Sequence, residues 1–250
     1  MMSPTDPILV LDGVVAGYGK MTILNGIAAR VRRGAITTVI GPNGAGKSTM
    51  FKTVFGLLPA RAGTVTIDGR DATNFSTRQM LDAGVVYIPQ GRNIFPELSV
   101  RHNLELGGAA LADQAVLPAR MDKIMGRFPM IRDKAGAQAS TLSGGQQKML
   151  EVARGMLLDP KLILIDEPSI GLSPIMVQEV FAILKDLRDK GVTVLLIEQN
   201  AKQALQISDY GLVLEQGQAR IEDTAPKILA DPRIAQLFLG GGLAPAELVQ

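Results

Sequence analysis

Four short stretches of this chain are dominated by aliphatic residues without polar alternation: Ala35 to Ile40, Val85 to Ile88, Leu162 to Ile165 and Val192 to Ile197. Each reads as a buried strand, and the four consecutive aliphatics from Leu162 predict one covered on both faces, as in a parallel sheet. Between these runs the apolar period lengthens to that of helices: Lys47 to Gly56, Ser76 to Asp82, a segment from Gln146, and Pro174 to Lys190 ended by Gly191. The segment from Gln146 carries Met149, Leu150, Ala153, Met156 and Leu157 on one face, which is a packing stripe. Near the start, Ile8 to Val15 and Met21 to Val31 predict strands joined by a turn at Gly17-Tyr18-Gly19. A further short strand runs from Gly63 to a turn at Asp68-Gly69.

From about Gly91 to Ser140 the β-branched runs disappear, and helices at Ser99 to Leu106 and Pro118 to Phe128 dominate. The pattern predicts an α/β core, residues 1–90 and 141–240, with a helical lobe, 91–140, inserted into it. The chain then closes with a short helix from Asn200, a strand pair around Glu215-Gln216-Gly217 and two short helices ending near Leu239. A loose tail follows the glycines from Gly240, covering 241–250.

Composition narrows the chemistry. Hydrophobic residues make up 46% of the 250, cysteine is absent and His102 is the single histidine. Disulfides, thiolate metal sites, multi-histidine metal sites and a Ser-His-Asp triad are therefore excluded or disfavoured. His102 is expected on the surface or in packing. The net charge of +2 gives no electrostatic case for nucleic acid as a partner. The polar opening from Met1 to Pro7 does not read as a signal peptide, and the apolar runs are too short to span a bilayer. Any membrane role is expected to come through a partner protein.

Gly41-Pro42-Asn43-Gly44-Ala45-Gly46-Lys47-Ser48-Thr49 satisfies G-x-x-x-x-G-K-[ST], a phosphate-binding loop. Glycines at 41, 44 and 46 let the backbone N–H groups close on phosphate oxygens. Lys47 supplies positive charge for the β- and γ-phosphates, and the Ser48 hydroxyl is the expected Mg2+ ligand. The buried strand before the loop and the helix after it provide the setting this chemistry needs. Asp166 and Glu167 emerge where the Leu162 strand ends, the edge at which open α/β sheets bind ligands. Asp166 is expected to hold Mg2+ or its water, and Glu167 to orient or deprotonate the attacking water. Leu142-Ser143-Gly144-Gly145-Gln146 opens a second helix whose N-terminus suits phosphate. Two such termini suggest a nucleotide held from both sides.

With these motifs in this order the chain resembles the nucleotide-binding subunits of ABC (ATP-binding cassette) transporters over nearly its whole length. The resemblance implies a P-loop NTPase fold with an antiparallel β subdomain and an inserted helical subdomain, an Mg2+-dependent ATPase activity, and a head-to-tail dimer. It implies that Tyr18 stacks on the adenine ring. It implies that Gln90 links Mg2+ and the attacking water to the helical lobe, and that Ser143, Gly144, Gly145 and Gln146 meet the ATP of the opposing subunit.

Two positions depart from the family pattern. Gln199 stands where a histidine is usual after the strand ending at Ile197, and it can hydrogen-bond the γ-phosphate without carrying an imidazolium charge. Ser173 stands where an aspartate is usual, which weakens a polar link across the dimer. Together with Tyr87 to Phe95, Glu167 to Pro174 and Ile197 to Ala201, these features are similar to one subgroup, the F-type (Liv-type) ATPases of branched-chain amino acid importers. Urea and amide importers are close relatives of that subgroup. The resemblance implies a second, G-type cassette as dimer partner, permease subunits in the membrane, an external solute-binding protein, and a place on the cytoplasmic face of the cell membrane. The other expectations weighed are an ATP-binding regulatory cassette with weak hydrolysis, and a soluble ABC ATPase acting on DNA or ribosomes, for which no coiled-coil insert or second cassette is present.

Overall fold

The computed structural model describes residues 6–234. Strands β1 (Pro7–Tyr18) and β2 (Met21–Arg32) form a long antiparallel hairpin. The turn predicted at Gly17-Tyr18-Gly19 shifts: β1 runs through Tyr18, which pairs with Met21, and the reversal falls on Gly19-Lys20. Only two residues separate the paired positions, and Gly19 (φ +54°) supplies the left-handed conformation such a tight loop needs. Then come β3 (Ile36–Ile40), helix α1 (Lys47–Val54), β4 (Ala60–Ile67), β5 (Arg70–Asp71), α2 (Thr77–Asp82) and β6 (Val85–Ile88). β4 begins three residues earlier than its apolar pattern indicates, because Ala60 and Ala62 pair with Ala16 and Val15 of β1.

Between β6 and β7 lie α3 (Val100–Gly108), α4 (Leu117–Arg127) and α5 (Pro129–Asp133). The sequence reading missed α5, a single turn behind a proline. The chain continues with α6 (Gly144–Met156), β7 (Leu162–Asp166), α7 (Pro174–Asp189), β8 (Thr193–Ile197), α8 (Ala201–Ile207), β9 (Tyr210–Glu215), β10 (Gln218–Thr224) and α9 (Ala225–Ala230). The end of the last expected helix near Leu239 and the tail from Gly240 lie outside the described residues.

The strands form two sheets, an antiparallel one ordered β2-β1-β4-β5 and a six-stranded one ordered β10-β9-β3-β8-β7-β6. In the larger sheet β9, β3, β8, β7 and β6 are parallel, and only β10 runs antiparallel. Every residue of β3, β7 and β8 is buried, as both-face burial requires. The period of two divides them between two cores. Leu162, Leu164, Leu195 and Ile197 face the core shared with α1 and the antiparallel sheet, whereas Ile163, Ile165, Val194 and Leu196 face the one shared with α3 to α7.

Helix α1 is seated by Met50, Phe51 and Val54, all fully buried or nearly so, and the Phe51 ring meets Tyr87 edge-on at 6.1 Å. Removing that ring opens a cavity between α1 and Tyr87 of β6. Phe51→Ala is expected to cost about 3–5 kcal/mol of stability, read as a lower urea midpoint.

The strand order positions the candidate chemistry. β3, β8, β7 and β6 are neighbours in that order, so the loops after Ile40, Ile197, Asp166 and Ile88 line up along one carboxyl edge.

Candidate functional site

The phosphate loop leaves β3 at Gly41 and enters α1 at Lys47. A Cβ on Gly41 would lie 2.0 Å from the Leu214 carbonyl oxygen, so this position has no room for a side chain. Gly44 (φ +81°) faces open space, and its glycine is required by backbone conformation alone. The Ala45 N–H donates to the Pro42 carbonyl at 3.2 Å, while the Ala45 carbonyl accepts from Gly217 N–H at 2.9 Å. Since Asn25 N–H donates to the Gly217 carbonyl at 2.8 Å, the β9–β10 turn ties the loop to the antiparallel sheet. Asn43 lies exposed at the tip, and Thr49 is buried in the first turn of α1.

Lys47 is buried, and its ammonium donates to the Gly41 carbonyl at 2.8 Å and the Pro42 carbonyl at 3.1 Å. Burial lowers its pKa from the ordinary lysine value, opposed by the charges of Glu167 and Asp166. Asp166 closes β7 almost wholly buried. One carboxylate oxygen accepts from the Tyr87 hydroxyl at 3.3 Å, while Oδ1 has no hydrogen-bond partner among the described residues. Burial raises its pKa, opposed by the nearby Ser48 and Tyr87 hydroxyls and the charge of Lys47. A buried carboxylate oxygen without a partner, beside the Ser48 hydroxyl, is a donor set that fits a hard cation. Tyr87 was not singled out from the sequence; its ring is wedged against Phe51 and Phe55, which aims the hydroxyl at Asp166.

Glu167 is the junction of the site. Its Oε2 accepts from Gln90 Nε2 at 2.9 Å and from Gln199 Nε2 at 3.1 Å. Because β7 lies between β6 and β8, the glutamines reach it from opposite sides. Two glutamines named from the sequence, 109 positions apart, thus converge on the carboxylate of a third named residue. The Glu167 backbone adopts φ +48°, a conformation that costs a non-glycine residue about 1–3 kcal/mol and is held here by its N–H donating to the Ile197 carbonyl at 2.9 Å. Burial, then the neighbouring Asp166 charge, raises the Glu167 pKa. Both effects favour proton acceptance.

Glu198 was also passed over in the sequence. Its buried carboxylate accepts from Ser169 N–H at 2.9 Å, Ser169 Oγ at 2.7 Å and Gln199 N–H at 3.2 Å. The signal was available: an acid at the end of an apolar strand, the same signal that picked out Asp166.

Ser143 and Gln146 form a capping box on α6. The Gln146 N–H donates to Ser143 Oγ at 3.3 Å, and Ser143 N–H donates back to Gln146 Oε1 at 3.2 Å, an oxygen that Lys134 also reaches at 3.1 Å. These two residues therefore have a helix-starting role independent of any nucleotide. Gly145 N–H lies 3.3 Å from the Met176 sulfur, and a Cβ on Gly144 or Gly145 would press on Leu172 or Met176 at 2.9 Å. Further along α6, Lys148 and Glu151 form a buried ion pair that grips the segment after Gln90. Lys148 donates to the Gly91 carbonyl at 3.0 Å, and Glu151 accepts from Asn93 N–H at 2.6 Å.

Tyr18 is 46% exposed at the end of β1, with the Lys52 ammonium of α1 5.9 Å from its ring centre. It is the exposed aromatic beside the phosphate-loop helix. Ser173 is exposed at the start of α7 and makes no capping hydrogen bond, and His102 is exposed on α3.

A phosphate loop after β3 and an acidic pair after β7, on one edge of a parallel sheet, define a P-loop ATPase. Residues 24–170 match the ABC transporter family, and the chain belongs to that family as one of its ATP-binding subunits. It is 39% identical over 234 residues to the high-affinity branched-chain amino acid transport ATP-binding protein BraG of Pseudomonas aeruginosa, covering 94% of this chain and 100% of that one. It is 35% identical over 226 residues to the "Probable branched-chain amino acid transport ATP-binding protein LivF" of Archaeoglobus fulgidus, covering 90% and 95%. Among solved structures, the ADP conformation of an ATP-binding cassette of an ABC transporter superposes with a TM-score of 0.85 at 29% identity, covering 94% of this chain and 100% of that one. The fold expected from the sequence, an ABC cassette, is the one observed.

Proposed function

We propose that this chain is the ATP-hydrolysing subunit of an importer of branched-chain amino acids, working beneath permease subunits on the cytoplasmic face of the cell membrane. The observation that carries the hydrolytic part is the convergence of Gln90 and Gln199 on Glu167, the residue directly after Asp166 at the end of β7, two strands from the β3 edge that bears the phosphate loop. In this reading the backbone of Gly41 to Lys47 and the Lys47 ammonium bind the phosphates, and Tyr18 supports the adenine ring. Ser48 and Asp166, with Gln90 nearby, are the residues that would hold Mg2+, which when bound would supply positive charge to the phosphates. Glu167 orients the water and takes its proton as it attacks the γ-phosphate in line, and Gln199 hydrogen-bonds the transferring group.

Among the described residues no helix is long and apolar enough to cross a membrane. Contact with permeases therefore falls to the surface, where a groove runs between the end of β6 and helices α2, α3 and α6. Leu81, Tyr87, Pro89, Gly107 and Leu158 line it. Pro89 in its wall directly precedes Gln90 in the chain, so a permease helix seated there would feel the state of the site. Residues 91–140 act in this reading as the helical subdomain of one ABC domain. A second cassette, of the G type, completes the dimer: this chain's loop faces the partner's signature, and this chain's Ser143 to Gln146 face the partner's phosphate loop. The cargo rests on the names of the two relatives.

The experiment is the solution mass, by light scattering, of Glu167→Gln with Mg-ATP, starting from the 26.6 kDa chain. A mass that rises only when a G-type cassette is added supports the heterodimer. Doubling without it would move the reading to a homodimer. Reconstituted with permeases and binding protein, the complex should take up leucine on adding ATP; uptake of urea or an amide instead would reassign the cargo. Gln199→His is expected to preserve or raise turnover, since a ring nitrogen can replace the amide donor toward Glu167. A large loss in the steady-state assay would mean that the amide itself is required at this position, and that a ring nitrogen cannot replace it.

A further inference from the structure

We propose that Glu198 is a positioning residue for hydrolysis, whose carboxylate locks the loop carrying Glu167 to the loop carrying Gln199. The proposal rests on the roles given above to Glu167 and Gln199.

The geometry is a seam between two adjacent strand ends. β7 leads into Glu167-Pro168-Ser169, and β8 leads into Glu198-Gln199. Three contacts cross or brace this seam near the reacting groups. Glu167 N–H donates to the Ile197 carbonyl, Gln199 Nε2 donates to Glu167 Oε2, and Ser169 gives both its N–H and its hydroxyl to the Glu198 carboxylate. Glu198 also takes the Gln199 N–H, so one side chain fixes the backbone of both loops at once. It is 2% exposed at the end of a strand whose other residues are all apolar except Thr193. Burying an acid there is costly unless donors satisfy it, and the three that do all belong to the two loops. The Glu167 backbone is strained at φ +48° and persists only if its surroundings hold it. The Glu198 clamp, two residues beyond, is part of that hold. None of its hydrogen bonds reaches the phosphate loop, which hangs from β3.

An amide tests this with a change of one atom group. In Glu198→Gln the new NH2 faces a donor, Ser169 or Gln199, in a buried site, and one bridge is lost. With the assembled cassette pair and Mg-ATP, Glu198→Gln is expected to lower kcat by about 10- to 100-fold, the scale of a small misplacement of reacting groups, while affinity for a fluorescent ATP analogue stays close to wild type. Ser169→Ala should lower kcat in the same direction by less. If Glu198 acts through Gln199, the loss in Glu198→Gln/Gln199→Ala will fall well short of the product of the two single losses. Fully multiplicative losses, unchanged kcat, or equal losses of kcat and ATP affinity would each overturn the proposal. Should Glu198→Gln fail to fold, Ser169→Ala against Gln199→Ala applies the same criterion. Wild-type turnover in both Glu167→Gln and Gln199→Ala would instead remove the functional reading beneath it, a result visible without touching Glu198.

Discussion

Glu167→Gln is expected to reduce steady-state ATP hydrolysis by about 10²- to 10⁴-fold, the usual contribution of a positioned general base, while ATP remains bound. The substitution keeps the length and shape of the side chain. Its carbonyl oxygen can still accept from Gln90 and Gln199, so the three-residue junction stays assembled. What disappears is the capacity to take a proton from water, which burial and the Asp166 charge favour in the native carboxylate. Lys47, Ser48 and the loop backbone are untouched, so binding survives. The check is phosphate release together with nucleotide retained on the protein after gel filtration. Low release with retained ATP fits a working site. Unchanged turnover in the complete complex would show that this site is silent, and that hydrolysis runs on the partner's phosphate loop against this chain's Ser143 to Gln146.

Lys47→Ala is the second large effect, and its signature is the opposite one. Removing the ammonium takes away the one cation that the loop itself supplies to the phosphates. A charge-assisted contact of about 3 kcal/mol corresponds to about a 100-fold loss of ATP affinity. Titration of the isolated chain with a fluorescent ATP analogue reads this loop alone. Thermal stability without nucleotide should barely change, because Lys47 donates only to the Gly41 and Pro42 carbonyls of the same loop. Loss of binding with a large drop in stability would mean that the lysine chiefly holds the loop together.

These two outcomes are expected to separate because the two side chains sit on different strands. Lys47 follows β3, and Glu167 follows β7, with β8 between them. The apolar runs announced all three strands, since a stretch with no polar face must be covered on both sides. The phosphate loop was equally legible, because its glycine spacing and lysine are a local solution to a local problem. The capping box of Ser143 and Gln146 was legible in the same way, although the sequence reading assigned these residues to phosphate alone.

Other features were not legible. Lys148 and Glu151 look in sequence like a solvent-facing charge pair on a helix. Only the packing of α6 against the segment after Gln90 buries them. Tyr87 reads as another apolar strand residue until Phe51 and Phe55 turn its hydroxyl toward Asp166.

By itself the sequence determined the buried strands of the parallel sheet beside the site, the phosphate loop and the acidic pair, because each depends on residues within a few positions of one another. It did not determine that β8 lies beside β7, or that Gln90, 77 positions before Glu167, and Gln199, 32 after it, meet on one carboxylate. Strand order is chosen by how whole faces cover one another across two cores, and that choice exists only once the chain has folded.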